Sequence, residues 1–389
     1  MALSGGGDSL ALTLIADAWA RARGRELLIL TVDHGLRPES VFWTRRCAAL
    51  AERLGRPFRA LTWEGEKPAT GLPAAARAAR HRLLADATRD GGANVILMGH
   101  TADDIAEAHA MRAAGSTTPD PREWAPSPVW PEGRGVFVLR PMLKQRRADL
   151  RAWLEARDES WIDDSANDDL RFARGRARAG GASAVVASSD VQPSQLFRLA
   201  DHFEGAITIY RKTLRAASPA DVVRFAAIAC VCAGGGERRP MTERLQRLAN
   251  ALHGEGAFVA TLAGARVEAT ESHVDIFREA GEFSRRGTSS LPLPAGREVV
   301  WDGRYAVTAN RAGLAMRPVA GAVSALRPEE RSAFPFFSAR RRGAFPAVVY
   351  PDGEVSMPLI GWSREDVAVQ SIVRARFEAA AGLVQREPA

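Results

Sequence analysis

Two continuous apolar runs of strand length, Leu27–Val32 and Asn94–Met98, alternate in the first hundred residues with segments of helical period. Runs of that kind are strands buried on both faces of a parallel sheet. Helical spacing fills the intervals over Leu10–Arg23, Glu39–Leu54 and Pro73–Thr88, with Leu10, Leu14 and Ala18 one turn apart on a single face. Pro73 suits a first helical position, where its missing N–H costs nothing. Phe58–Trp63 fits a further short strand. Strand–helix alternation in this order predicts a doubly wound α/β parallel sheet, with ligands at the carboxyl ends of its strands.

The alternation stops near Gly115, where Pro119, Pro121, Pro126, Pro128 and Pro131 exclude a helix or a central strand. A basic helical stretch, Lys144–Arg157, then an acidic patch and an arginine cluster lead to Arg178. The small, polar run from Gly180 to Ser189 reads as a linker. From Gln192 to His253 the pattern is mostly helical, and beyond Leu291 it turns to short β-like runs such as Val299–Trp301 and Ala347–Tyr350. The expected divisions are therefore residues 1–180, 190–285 and 291–389, the last an α+β domain.

At 46% apolar and 25% charged residues over 389 positions, the chain is neither disordered, collagen-like nor a disulfide scaffold. Its formal charge is +7, and all its basic residues but Lys67, Lys144 and Lys212 are arginine, a planar fork suited to phosphate. Arginine-biased composition accounts for this equally well, so position must decide. Cys47, Cys230 and Cys232 form no CxxC, which fits a reducing cytoplasm, and Cys230 and Cys232 are read as packing. The most apolar stretch, Phe225–Ala233, falls far short of the roughly 20 residues a membrane span needs. No membrane partner is expected.

The most informative residues are Ser4-Gly5-Gly6-Gly7-Asp8-Ser9, between a strand-like Met1-Ala2-Leu3 and a helix. Consecutive glycines let backbone N–H groups curl around an anion, and the helix amino end adds partial positive charge. Ser4 and Ser9 offer hydroxyl donors. A carboxylate beside phosphates is repulsive unless a divalent cation lies between them, which points Asp8 to Mg²⁺. A bare glycine run is often only a helix cap; the strand–loop–helix setting argues against that here. His100 and Asp103 follow the strand ending at Met98, at the same edge as the loop. Asp103 and Glu107 are four apart on one helical face, able with Asp8 to form an oxygen site for Mg²⁺ or a clamp on an amine. The plainer role for Asp103 is helix capping.

Ser4–Ser9 resembles the signature of the PP-loop, or N-type, ATP pyrophosphatases, which cleave ATP to AMP and pyrophosphate while activating an oxygen of a second substrate. Further blocks resemble the tRNA(Ile)-lysidine synthase family within it. They are Val32-Asp33-His34-Gly35-Leu36-Arg37 with Ser40, Ala76-Arg77-Ala78-Ala79-Arg80-His81, and Gly99-His100-Thr101-Ala102-Asp103-Asp104-Ile105-Ala106-Glu107. Arg140-Pro141-Met142-Leu143 and Trp161–Asn167, running into Arg174 and Arg178, complete the order over roughly residues 1–180.

The resemblance implies a catalytic ATP-binding domain at 1–180 and a tRNA-contacting region at 190–285. It implies ATP-dependent joining of L-lysine to C2 of the wobble cytidine of tRNA(Ile) with a CAU anticodon, through an adenylated cytidine. It places the nucleotide on Ser4, Gly5, Gly6, Gly7, Asp8, Ser9, His34, Gly99 and His100, and Mg²⁺ on Asp8 and Asp103. The chemistry falls to Asp8, Asp103, Glu107, Arg174 and Arg178, and substrate binding to Asp104, Arg77 and Arg80; a homodimer is left open. Lys144, Arg146, Arg147, Arg151, Arg171, Arg174, Arg176 and Arg178 bracket Asp163, Asp164, Asp168 and Asp169, so they either meet tRNA phosphates or pair among themselves. Arg340-Arg341-Arg342 is a second such patch.

The chain departs from the family pattern at Ala108 for threonine, at Ala113-Ala114-Gly115-Ser116 and at Gly175, and only three residues precede the loop, where a strand typically runs about 5–6. That first strand is therefore clipped or begins further upstream. The alternatives are a PP-loop tRNA thiolase, disfavoured by the missing paired CxxC motifs, and a non-catalytic RNA-binding relative, disfavoured by Asp8, Asp103 and Glu107. Asp8→Asn is expected to abolish pyrophosphate release; near-normal turnover overturns the assignment of the loop.

Overall fold

The structure is a computed structural model describing residues 1–116, 136–163, 173–180, 194–286, 290–333, 335, 339–360 and 366–383. The proline-rich stretch from Pro119 to Pro131, the acidic residues Asp164, Asp168 and Asp169 with Arg171, and the expected linker lie outside these residues. Two units are distinguished, Met1–Val191 and Gln192–Val384.

In the first unit, β1 (Ile29–Asp33) pairs in parallel with β2 (Phe58–Thr62), and β3 (Val95–Leu97) with β4 (Phe137–Leu139). Residues 1–3 join the two pairs. The Leu3 amide donates to the Leu30 carbonyl and Leu30 to Met1, both at 2.8 Å, while Ala2 donates to Leu97 at 3.0 Å. The sheet thus runs β2, β1, residues 1–3, β3, β4, and the short stretch ahead of the glycine loop is its middle member.

Among the described residues, six helices accompany this sheet: α1 (Gly7–Ala22), α2 (Ser40–Arg53), α3 (Leu72–Asp90), α4 (Ala102–Ala113), α5 (Arg147–Glu155) and α6 (Ala173–Ala179). Neighbouring strand residues serve opposite faces. Leu30 and Ile96 pack with Leu84 and Ala85 of α3, whereas Ile29 packs with Cys47 and Ala51 of α2, and Leu97 lies against the group formed by Leu10, Ala16, Leu150 and Leu154 of α1 and α5. Burial on both faces is why these strands read as unbroken apolar runs. Each such Leu or Ile contributes roughly 1.5–3 kcal/mol on leaving water.

The second unit opens with β5 (Asp201–Phe203), β6 (Ala206–Tyr210), α7 (Arg211–Ala216), α8 (Pro219–Ala233), α9 (Thr242–His253), β7 (Phe258–Leu262), β8 (Ala265–Ala269), β9 (His273–Arg278) and α10 (Gly281–Arg286). Helices α7, α8 and α9 bear out the helical period, but a five-stranded antiparallel sheet, in the order β5, β6, β9, β8, β7, runs beside them. Its strands are three to six residues long: β5 and β6 fall within the stretch read as helical, and β7, β8 and β9 follow it after His253. The run Phe225–Ala233 is the buried body of α8. Within it, burial pushes the Cys230 and Cys232 thiols up to about 12 and about 11, leaving them protonated packing groups, as expected.

The remaining elements are β10 (Leu291–Pro292), β11 (Glu298–Trp301), β12 (Tyr305–Ala309), β13 (Ala315–Pro318), α11 (Pro328–Ala333), α12 (Ala339–Arg342), β14 (Pro346–Val349), β15 (Val355–Ser356), β16 (Val367–Ser371) and α13 (Val373–Ala380). They form a four-stranded sheet, β10-β13-β14-β15, and a three-stranded one, β11-β12-β16. The boundary expected between 285 and 291 runs inside this unit, where buried charge joins the two sides. Asp302, in the turn between β11 and β12, accepts from Arg278 Nη2 and Nε at 2.8 and 3.0 Å and from Arg304 Nε at 2.7 Å. Both guanidinium side chains are 2% exposed. Arg340 and Arg341 of the expected C-terminal patch pair with Glu268 and Asp275, so those two charges are neutralised within the unit. No helix among the described residues is long and apolar enough to cross a membrane.

Asp302→Ala leaves two buried guanidinium groups without their carboxylate, which is expected to cost about 3–5 kcal/mol in urea unfolding. An unchanged unfolding midpoint would show that backbone carbonyls alone hold these arginines.

Candidate active site

The loop between residues 1–3 and α1 is shaped by hydrogen bonds among its own residues. Ser4 N–H donates to Ser9 Oγ at 3.2 Å, the two hydroxyls lie 3.0 Å apart, and Ser9 Oγ donates to the Gly6 carbonyl at 2.9 Å. Gly5 has φ +83°, a left-handed conformation that only glycine adopts without strain. The Ile162 amide donates to the Gly5 carbonyl at 2.9 Å, so the Trp161-Ile162-Asp163 block lies against the loop. Gly99, at the end of β3, approaches the loop backbone so closely that a Cβ there would meet Asp8 C and O and Ser9 Cα at 3.0 Å.

Beside the loop, α4 begins after Thr101. Asp104 Oδ2 accepts from the Thr101 amide at 2.7 Å and from its hydroxyl at 3.1 Å, so the capping role considered for Asp103 falls to Asp104. The side chain that organises the carboxylates is Arg147, the first residue of α5. Its Nε donates to Asp8 Oδ2 at 3.1 Å, its Nη1 donates to Glu107 Oε1 at 2.9 Å, and its Nη2 lies 3.7 Å from Asp104 Oδ1. Its backbone amide donates to Asp103 Oδ2 at 2.8 Å. Arg178, on α6, donates from Nε to the same Glu107 oxygen at 2.8 Å. Burial works against the Arg147 charge, yet Glu107, Asp104 and Asp8 together hold its pKa above the ordinary arginine value.

A cavity of about 490 Å³ opens at this edge. Ser4, Gly6, Gly7, Asp8 and Ser9 line it, as do His34, Arg80, Gly99, His100, Asp104, Arg147 and Arg178. The structure therefore brings together most of the residues singled out from sequence. Gly5 is turned toward Ile162, Asp103 and Glu107 reach the cavity only through Arg147 and Arg178, and Arg77 is exposed on α3 outside the lining. The Arg174 side chain lies outside the described residues. His34 meets Trp63 edge-on at 6.0 Å between ring centres. Burial, helped by Arg80, lowers its imidazole below the ordinary value, so the ring is neutral near pH 7. His100 Nδ1 accepts from Arg140 Nε at 3.1 Å.

Asp8 Oδ1 is buried and has no hydrogen-bond partner among the described residues. Burial raises the Asp8 carboxyl above its ordinary value, with Arg147 opposing part of the shift. An oxygen in that condition fits a cation that arrives with a ligand. Among the described residues no group of three His, Cys, Asp or Glu side chains is arranged to hold a metal ion. A divalent cation here would take most of its oxygens from phosphate.

Arg147 was legible only as one charge in a basic stretch. Its separation from Asp8 by 139 positions hides the contact, and the sole clue was a cation at the start of a helix following the Arg140–Leu143 block.

The PP-loop domain family matches residues 1–180. The tRNA(Ile)-lysidine synthase of Caulobacter vibrioides is 45% identical over 391 residues, covering 99% of this chain and 93% of that protein. Those of Hyphomonas neptunium and Rhizobium meliloti are 36% and 34% identical, covering 76% and 79% of this chain and 83% and 72% of their own lengths.

Gly99→Val places three carbons where the loop backbone passes. Its affinity for ATP is expected to fall by at least about tenfold, a change of roughly 1.4 kcal/mol, with helical circular dichroism unchanged. ATP binding as tight as in the wild type would show that this close approach does not shape the phosphate site.

Proposed function

Because the chain belongs to the tRNA(Ile)-lysidine synthase family, we propose that this cavity is where L-lysine is joined to C2 of the wobble cytidine in the CAU anticodon of tRNA(Ile), with ATP as the activating substrate. The observation that carries the assignment is that the Ser4–Ser9 loop and the Asp104–Arg147–Arg178 group line one cavity. Both half-reactions need that shared space.

In the first, the cytidine O2 attacks the α-phosphorus of ATP; the O–P bond forms and the bond to pyrophosphate breaks. The leaving pyrophosphate gathers charge where the loop amides, the Ser4 and Ser9 hydroxyls and the amino end of α1 meet it. His34, Gly99 and His100 are assigned to the nucleotide. Asp8, through its buried Oδ1, is assigned to hold Mg²⁺, with Asp103 a second candidate. When bound, that ion neutralises phosphate charge. Arg178, with Arg174, is assigned to the charge on the α-phosphate.

In the second half-reaction, the lysine ε-amine attacks C2, the C–N bond forms, and AMP departs with the oxygen. With a pKa of about 10.4, only about one ε-amine in a thousand is uncharged at neutral pH. A carboxylate must therefore draw in the ammonium and take its proton. Asp104 and Glu107, 7% and 4% exposed, are assigned that role with Asp103. Arg77 and Arg80 are assigned to substrate binding. The wobble base lies in a single-stranded loop, from which it is splayed into a pocket more cheaply than from a duplex.

Residues 190–285 are assigned to tRNA contact, where Lys212 of α7 and Arg244 and Arg247 of α9 stand exposed. Cytoplasmic location accompanies this reading.

Incubation with ATP, labelled lysine and tRNA is expected to place label in the tRNA and release AMP without any sulfur donor. Arg178→Ala is expected to lower kcat by about a hundredfold or more with ATP affinity within about twofold. A sulfur requirement would favour a thiolase, and tRNA binding without AMP formation would favour a non-catalytic relative.

A further inference from the structure

One guanidinium spans the two halves of the site. Arg147 bonds Asp8, at the start of α1 beside the phosphate loop, and Glu107, on α4 where the lysine amine is assigned. It serves neither fully. Its Nη2 is buried without a hydrogen bond among the described residues, 3.7 Å from Asp104, and Asp8 Oδ1 is likewise left without a donor. Meanwhile its backbone amide is fixed to Asp103 at 2.8 Å, so the side chain can swing while the main chain stays. A cation shared among three carboxylates, in a position good for only two, is a geometry that an arriving anion or cation shifts readily.

We propose that Arg147 is a positioning residue that occupies the amine site until nucleotide binds, and so couples lysine binding to ATP binding. The inference rests on the reading above. Phosphates on the Ser4–Ser9 loop draw the guanidinium toward the Asp8 side. The carboxylate cluster then carries one positive charge fewer, Asp104 losing the Nη2 beside it and Glu107 keeping its bond from Arg178, and the ε-ammonium of lysine, a more compact cation, takes the vacated place. The effect is reciprocal: lysine on Glu107 and Asp104 holds Arg147 against the phosphates and tightens nucleotide binding by the same factor. Before nucleotide arrives, Arg147 keeps free lysine and other amines from the carboxylates. Arg178 also donates to Glu107, but it makes no ion pair with Asp8 among the described residues, so it provides no such bridge.

The test is calorimetric titration of lysine into the full-length protein with its tRNA, with and without magnesium and an ATP analogue that cannot be cleaved between the α- and β-phosphorus. In the wild type the analogue is expected to lower the lysine Kd by at least about fivefold. In Arg147→Met the two Kd values are expected to coincide, close to the tighter wild-type value, and Arg147→Lys is expected to restore part of the difference. A residue that only stabilises the fold would instead weaken lysine in both states. Equal wild-type values with and without the analogue overturn the coupling alone, a result independent of whether any variant folds. Full coupling retained in Arg147→Met overturns the role of Arg147. Absence of lysine uptake in both states removes the amine site itself, and the coupling with it.

Discussion

Four carboxylates, Asp8, Asp103 and Asp104 in the first turns of two helices that leave the same edge of a parallel sheet and Glu107 one turn further along the second, are all touched by Arg147. Helix amino ends tolerate negative charge, but acids this close, two of them buried and two partly so, repel one another strongly unless a cation lies between. Arg147 is that cation, with Arg178 reinforcing it at Glu107. The position of α5 follows from this need as much as from Leu150 and Leu154, which fasten it to α1. An apolar anchor and a charged tip on one short helix thus hold the cavity wall in place.

The phosphate loop depends on a second constraint, exclusion of side-chain volume. Gly5 adopts a left-handed backbone with Ile162 over it, and Gly99 lets β3 pass within contact of the loop main chain. The stretch leading into the loop, residues 1–3, is held by neighbours on both edges. That is how this segment aims the glycines at one spot. Binding and chemistry share the cavity because residues 1–3, β1 and β3 are adjacent in the sheet.

The second unit manages buried charge differently. Asp302 holds two arginines that are otherwise out of water, tying the antiparallel sheet of β5–β9 to the elements after residue 291. Short strands interleaved with helices hide such an arrangement from periodicity. A window long enough to register a helix spans both β5 and β6, or both β7 and β8, which is why the helices up to His253 were visible and the five-stranded sheet was not.

Most strands and helices of the first unit, though not β4 or α6, were legible in the residues themselves, as were the glycine loop and the placing of His100 at its edge, while the grouping of His34 with them came from the family resemblance. Their signals are local: apolar runs, helical spacing, and motifs that sit directly after a strand. Which side chain neutralises the carboxylates was decided only in three dimensions. Arg147 and Asp8 are 139 positions apart, and nothing in the run Lys144–Arg151 distinguishes the arginine that turns inward from those that face water. Capping by Asp104 in place of Asp103, and the pairing of Arg340 and Arg341 with Glu268 and Asp275, were settled the same way. Charge is read from composition, but its partner is chosen by packing, because an ion pair depends on a few ångströms of separation that no local pattern encodes.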